Sequence, residues 1–305
     1  MAHALEFTRK FRPRNLASRF TRWAGRSGRN PPWEERSLDM DESYLLARLD
    51  ESAVGKSPFY HLFVENVLPR PLYDALRSAM IAHKNGPNIQ ERHQDSGEYV
   101  NQRLNLFENN EPMIERFRAI FSSPSVKLRL LQKFYDNPSE QLEKSLEIHE
   151  EFEFVFTKAG RFQNIHIDIP PKFLSFVFYI PDGPVSPEEE ERNATILYGR
   201  DLMPRYQARY KENSVCIFAP HFYSYHGFSS TIQRDALVMF YINQAEREKW
   251  AQTRNKDTPP YAGLKDAIEQ KLRTYPLLEY RDGEPKLTAE REDCKVNAPK
   301  GRVMR

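Results

Sequence analysis

Cysteine is nearly missing from this chain: Cys216 and Cys294 are the only two, too few for a disulfide framework. Cys216 lies in an apolar run, where a thiol behaves as a small core residue, so a reducing, cytoplasmic setting is expected. No apolar run reaches the length of a membrane-spanning helix. The N-terminus has positive charge but not the continuous apolar stretch of a secretory signal, and no repeat recurs at a solenoid period. Acidic residues are missing from one segment in particular. Residues 8–30 hold Arg9, Lys10, Arg12, Arg14, Arg19, Arg22, Arg26 and Arg29 with no Asp or Glu among them, and Pro31-Pro32 closes the segment. An arm of that kind over residues 1–36 suits an anionic partner surface, lipid or nucleic acid, or an organelle transit peptide. It equally suits a solvated, flexible tail.

What is present describes a folded chain. With 39% hydrophobic and 29% charged residues in a length of 305, one sizeable core fits better than disorder. Residues 37–150 read as a mainly helical part. Asp41 can cap a helix through Tyr44, Leu45 and Leu49; Phe59 to Val67 is extended; Pro71 starts a helix through Leu76 and Met80. Residues 84–102 are polar and read as loop, followed by helices near 111–121 and 124–135. From 151 to 245 the texture changes. Phe152, Phe154 and Phe156 alternate with Glu153 and Val155, and short strands are expected at 163–168, 172–180, 194–199, 213–219, 222–228 and 234–242, with an acidic loop at 186–191. Short strands between Gly and Pro turns favour a mostly β core, a jelly roll or double-stranded β-helix, buttressed and flanked by α-helices. Residues 246–280 read as a helical segment, clearest from Leu264 to Leu272, and 281–305 as a polar tail.

The chemistry gathers in Lys158-Ala-Gly-Arg-Phe-Gln-Asn-Ile-His-Ile-Asp168. In a strand, residues i and i+2 share a face, so His166 and Asp168 can offer an imidazole nitrogen and a carboxylate oxygen to one ion. Alone the pattern is weak: His93-Gln94-Asp95 repeats it in a polar stretch that reads as solvated loop, and His149 and Glu151 stand two apart in a charged run. The apolar setting and a partner downstream distinguish His166 and Asp168. That partner is His226 in Phe222-Tyr-Ser-Tyr-His-Gly-Phe228. Two histidines and a carboxylate suit a divalent iron with positions left for other ligands. Further on, Arg234 heads the apolar stretch Ala236-Leu-Val-Met-Phe-Tyr-Ile242. An arginine there is costly to bury unpaired, and its planar fork matches a carboxylate, either that of a dicarboxylic ligand or an internal one such as Asp235. Arg161, Gln163, Asn164, Tyr198 and Arg200 are pocket candidates by position alone.

Taken together, Gly160, His166, Asp168, His226 and Arg234 resemble the 2-oxoglutarate/Fe(II)-dependent oxygenase superfamily, in particular its prolyl-4-hydroxylase-like branch. Tyr179-Ile-Pro-Asp-Gly183 and Ala194-Thr-Ile-Leu-Tyr-Gly199 are similar to the strand, turn and strand that follow in that branch. Pro58 to Leu68 resembles the segment before its first helix, so the resemblance covers roughly residues 58–245. It implies a double-stranded β-helix, Fe(II) held by His166, Asp168 and His226, and 2-oxoglutarate bound by Arg234 with Thr157 and Tyr179. It also implies O2 as second cosubstrate, ascorbate as a reductant, and hydroxylation of an unactivated C–H bond as 2-oxoglutarate becomes succinate and CO2. The chain departs from the pattern at Thr157, where many relatives place a Tyr, and at Arg192-Asn193-Ala194, where paired glycines are common. Asp168 is kept where halogenating relatives have a small residue; desaturation and ring formation would use the same ligands. The substrate expected is a small polar metabolite, a glycoconjugate or an amino acid. The alternatives are a peptidyl (prolyl-type) hydroxylase and a cupin-like metal-binding protein without turnover. Deleting residues 1–36 is expected to abolish salt-sensitive retention on anionic vesicles or nucleic acid; retention unchanged by the deletion would make the arm a solvated tail.

Overall fold

Alternation of apolar and polar side chains from Ile148 to Thr157 sets the geometry. One side of this strand carries Phe152, Phe154 and Phe156, and the other carries Glu153, Val155 and Thr157. The structure is a computed structural model describing residues 31–84, 86–93, 99–106, 109–134, 148–168, 172–220, 223–243, 248, 277–281 and 284–288. Leu38–Arg305 forms one unit. The helices are α1 (Leu38–Glu51), α2 (Arg70–His83), α3 (Pro112–Ser122), α4 (Pro124–Phe134) and α5 (Pro187–Arg192). The strands are β1 (His61–Glu65), β2 (Gln90–His93), β3 (Tyr99–Asn105), β4 (Ile148–Thr157), β5 (Phe162–His166), β6 (Lys172–Tyr179), β7 (Thr195–Tyr198), β8 (Pro204–Ala208), β9 (Ser214–Phe218), β10 (His226–Ser229) and β11 (Arg234–Asn243). A separate hairpin pairs β12 (Leu277–Arg281) with β13 (Glu284–Thr288).

Two antiparallel sheets carry the core: seven strands in the order β1-β9-β6-β11-β4-β3-β2, and four in the order β5-β10-β7-β8. From β4 to β11 the chain steps back and forth between them, with β4, β6, β9 and β11 in the large sheet and β5, β7, β8 and β10 in the small one. That path is a double-stranded β-helix. Helix α3 packs on the outer face of the large sheet, where the Phe117 ring meets Phe152 and Phe178 edge-on and Phe121 meets Phe176 and Phe178. Between the sheets lies a second apolar cluster that includes Phe59, Tyr179, Leu197, Tyr210, Cys216 and Phe218. Cys216 is a buried free thiol there.

Several local expectations are corrected. Residues 84–102 contain β2 and part of β3, which extend the large sheet beyond β4 with β2 as the edge strand; their polar sequence concealed them. Asp41 does not cap α1, which begins at Leu38. It is buried within the helix and paired with Arg116 of α3, Oδ2 lying 3.0 Å from Nε. The acidic stretch at 186–191 is mostly α5: Ser186 and Glu189 form a reciprocal capping box. Strand β8 was not anticipated, and β10 begins at His226 rather than at 222. Residues 277–280, expected to close a helical segment, lie in β12, and the 281–305 tail contains β13. The helix expected at Leu264 to Leu272 lies outside the described residues.

Among the described residues, no helix is long and apolar enough to cross a membrane. Because Phe117 joins α3 to the large sheet, Phe117→Ala is expected to cost about 3–5 kcal/mol in a denaturant titration, with the far-ultraviolet dichroism of the folded state unchanged.

Candidate active site

Strand pairing brings together residues far apart in sequence. His226 opens β10 and pairs with His166, the last residue of β5, on one side and with Leu197 of β7 on the other. The two imidazole rings lie 4.2 Å apart between centroids. Asp168 was expected within the same strand as His166, but β5 stops at His166 and Asp168 follows in irregular backbone. Pro170 and Pro171, just beyond, cannot donate to a ladder. Ligand atoms of His166, Asp168 and His226 nonetheless all lie within 4.8 Å of one another. His226 Nε2 is 3.9 Å from Asp168 Oδ2.

The tautomer of His226 is fixed by its surroundings. Its Nδ1 lies 2.8 Å from the Ser224 carbonyl oxygen, which can only accept, so Nδ1 carries the proton and Nε2 turns its lone pair to the site. Burial holds His226 below its ordinary pKa, against the pull of Asp168. Burial also pushes the Asp168 carboxyl upward, but Lys172, His226 and His166 outweigh it and hold the group well below the usual carboxylate range. The result is one ionised carboxylate beside two imidazoles, the donor set that suits a divalent iron with other positions open.

Deeper between the sheets lies Arg234, the first residue of β11 and 2% exposed. Its Nε donates to the Asn193 carbonyl at 2.9 Å and its Nη2 to Thr195 Oγ1 at 2.8 Å. The guanidinium carbon lies 3.9 Å from the Phe228 ring centroid and 5.3 Å from that of Tyr179. Burial lowers the Arg234 pKa. No carboxylate pairs with it among the described residues. The internal pairing with Asp235 does not occur, because Asp235 accepts from Lys84 at 2.8 Å and from Gln233 at 2.5 Å. Opposite Arg234 in the ladder stands Thr157, fully buried, whose Oγ1 has no hydrogen-bond partner among the described residues. Phe228, which the guanidinium contacts, lies on the same strand as His226, two residues further along β10.

The other expected residues sort by side of sheet. The Tyr179 Oη lies 2.7 Å from Thr195 Oγ1 and 3.2 Å from the Ala208 carbonyl, so it buttresses the guanidinium pocket. Tyr198 belongs to a different cluster, with Ile165, Ile167, Ile196 and Tyr225. Arg200 stacks on Tyr223, its guanidinium carbon 3.6 Å from the ring centroid. Gln163 stands opposite Phe228 with its Oε1 buried and without a hydrogen-bond partner among the described residues. The backbone oxygen of Arg161 accepts from Ser230 N, and the Asn164 side chain lies outside what is described. Gly160 has φ +77°, a conformation that favours glycine at the β4–β5 turn. His93 ends β2 rather than lying in a loop, and Asp95 is outside the described residues.

Sequence reasoning missed four contributors. Asn193 follows α5: besides its carbonyl contact to Arg234, its Oδ1 accepts from Thr231 N at 2.7 Å, tying α5 to the β10–β11 turn. Thr195 bridges Tyr179 and Arg234. Lys172 and Ser175 of β6 both donate to Asp168, each at 2.6 Å. Nothing local in the sequence assigned any of the four to these contacts.

No protein-family model matches the chain, and no curated protein does. Among solved structures, the chain is similar to a prolyl-4-hydroxylase from Pseudomonas putida at TM-score 0.48 and 14% identity, covering 66% of this chain and 99% of that one. It is similar to a prolyl hydroxylase from Trichoplax adhaerens, solved with a hypoxia inducible factor peptide fragment, at TM-score 0.47 and 10% identity over 72% and 96%. The α-ketoglutarate-dependent epimerase SnoN of nogalamycin biosynthesis matches at TM-score 0.42 and 12% identity over 66% and 82%. The strand order and the converging side chains are this chain's own and do not depend on these likenesses.

Titration with Co(II) is expected to show one ion bound by the wild-type chain and none by Asp168→Ala or His226→Ala, whereas His93→Ala keeps wild-type affinity.

Proposed function

We propose that this chain is an Fe(II)- and 2-oxoglutarate-dependent oxygenase. It hydroxylates an unactivated C–H bond of a small polar metabolite, glycoconjugate or amino acid while 2-oxoglutarate is converted to succinate. The observation that carries the reading is a pair of features between the two sheets: an ionised carboxylate with two imidazoles, and a buried guanidinium that has no carboxylate partner among the described residues. A structural metal site would have no need of that second feature, which disfavours a cupin-like protein without turnover. A five-carbon dicarboxylate uses both features, one end at the ion and the other at Arg234, with Thr157 Oγ1 available as a further hydrogen-bonding group.

The iron, when bound, supplies the activation of O2. The chain's own residues supply the rest. His226 keeps its Nε2 unprotonated through its bond to Ser224. Arg234, steadied by Asn193, Thr195 and the Phe228 ring, neutralises and orients the far carboxylate. The aromatic lining of Tyr179, Tyr210 and Phe228 keeps water from the guanidinium and so strengthens that contact. On the inner face of the large sheet, beyond Asp168, Lys172 and the paired side chains Arg103 and Glu153 present polar groups. They support a polar substrate over an apolar one.

The test is succinate production by anaerobically purified protein given Fe(II), 2-oxoglutarate and O2, with binding of 2-oxoglutarate followed separately. Succinate should form in the wild type and fall to the metal-free background in His166→Ala. Arg234→Met should bind 2-oxoglutarate about 10- to 100-fold more weakly, the loss of one charge-assisted contact. A wild-type chain that binds the metal but neither binds nor consumes 2-oxoglutarate would end the proposal.

A further inference from the structure

Asp168 stands outside any strand, so no backbone ladder sets the direction of its carboxylate. Two side chains of β6 set it instead. Ser175 Oγ donates to Oδ2 at 2.6 Å, and Lys172 Nζ donates to Oδ1 at 2.6 Å. Oδ2 is the oxygen turned toward His226, 3.9 Å from Nε2, while Oδ1 is turned to the ammonium. Lys172 is itself enclosed: its side chain is 11% exposed and its Nζ lies 3.3 Å from the Phe240 ring centroid. We infer that Lys172 is a positioning residue that holds Asp168 to a single-oxygen contact with the ion, thereby reserving a coordination position for the cosubstrate.

The argument is one of competition for an oxygen. A carboxylate can give a divalent ion one oxygen or two. Taking the second here means drawing Oδ1 away from Lys172 and leaving a buried ammonium without its ion-pair partner. Ser175 alone would not prevent this, because it holds Oδ2, the oxygen already facing the imidazoles. The Phe240 face fixes the ammonium from the other side, so Lys172 has little room to follow a swinging carboxylate. The device lies within one strand: β6 places Lys172 and Ser175 three residues apart, on either side of the same group. A two-oxygen contact would occupy a position that a chelating 2-oxo acid needs, so the lysine acts on cosubstrate binding through Asp168.

This inference rests on the oxygenase reading, and its test separates the two. Co(II) serves as a spectroscopic stand-in for iron. The wild-type chain is titrated first with Co(II) and then with 2-oxoglutarate, following the visible Co(II) spectrum. Lys172→Met, which keeps the length and loses the charge, should still bind Co(II). It should show an altered spectrum before 2-oxoglutarate is added and bind 2-oxoglutarate at least about 10-fold more weakly, the scale of outer-shell effects at metal sites. Lys172→Arg should restore both readouts. Lys172→Gln gives the same comparison if the Met variant does not fold. A Met or Gln variant whose spectrum and 2-oxoglutarate affinity both match the wild type overturns the inference. So does an Arg variant as impaired as Met, because the charge would then not be what matters. If the wild-type chain itself binds no 2-oxoglutarate, the cosubstrate reading falls and this inference with it, a result visible before any substitution is made.

Discussion

A guanidinium removed from water with no carboxylate beside it among the described residues is the constraint on which the interior of this protein depends. Taking a charge out of water costs several kcal/mol after relaxation, so the surrounding structure must compensate. Asn193 and Thr195 each give Arg234 an oxygen, and the rings of Phe228, Tyr179 and Tyr210 surround it at 3.9, 5.3 and 5.6 Å. Those contacts come from the α5–β7 junction, β6, β10 and the stretch after β8. The arginine therefore organises both sheets at once. The capping box of α5 and the Asn193 bonds to Thr231 can be read as the scaffolding that holds the acceptors in place.

The same two-sheet path accounts for the metal ligands. Because the chain alternates between sheets, β5 and β10 become neighbours, and His166 and His226 face one another although they are distant in sequence. The carboxylate arrives differently. It is carried past the end of β5 and fastened by β6, a strand of the opposite sheet. Two imidazoles held by the small sheet and a carboxylate held by the large one make the site a bridge across the core, so its geometry follows the spacing of the sheets.

The parts legible in the sequence were those with a pattern. Alternation exposed β4, short apolar runs exposed β6, β9 and β11, and the apolar setting separated His166 and Asp168 from the copy at His93. Arg234 could be singled out because a charge heading a core strand contradicts its surroundings. What stayed hidden lacks such a signal. Strands β2 and β3 are polar, and β2 is the last strand of its sheet. Asp41 is indistinguishable from a cap until Arg116 is known to oppose it. The Ser186–Glu189 capping box was readable but was masked by the run of glutamates around it. Lys172 could not be assigned, because its meaning depends on which oxygen of Asp168 it reaches, a property of tertiary geometry alone.

Comparison of the buried cations decides where an anion would bind. Lys84 is held by Asp182 and Asp235, Arg116 by Asp41, and Lys172 by Asp168. Each is already neutralised, and an incoming carboxylate would have to displace an internal one. Arg234 is different: its described hydrogen bonds go to a carbonyl and a hydroxyl, which satisfy N–H groups without cancelling charge. A dianion entering the site therefore gains most at Arg234 and least at Lys172, although both cations belong to the large sheet. The unequal pairing gives the site a direction. On the proposed oxygenase reading, a ligand with a carboxylate at each end would turn one end toward the guanidinium and the other toward the ion, leaving a substrate the side where Lys172, Arg103 and Glu153 stand.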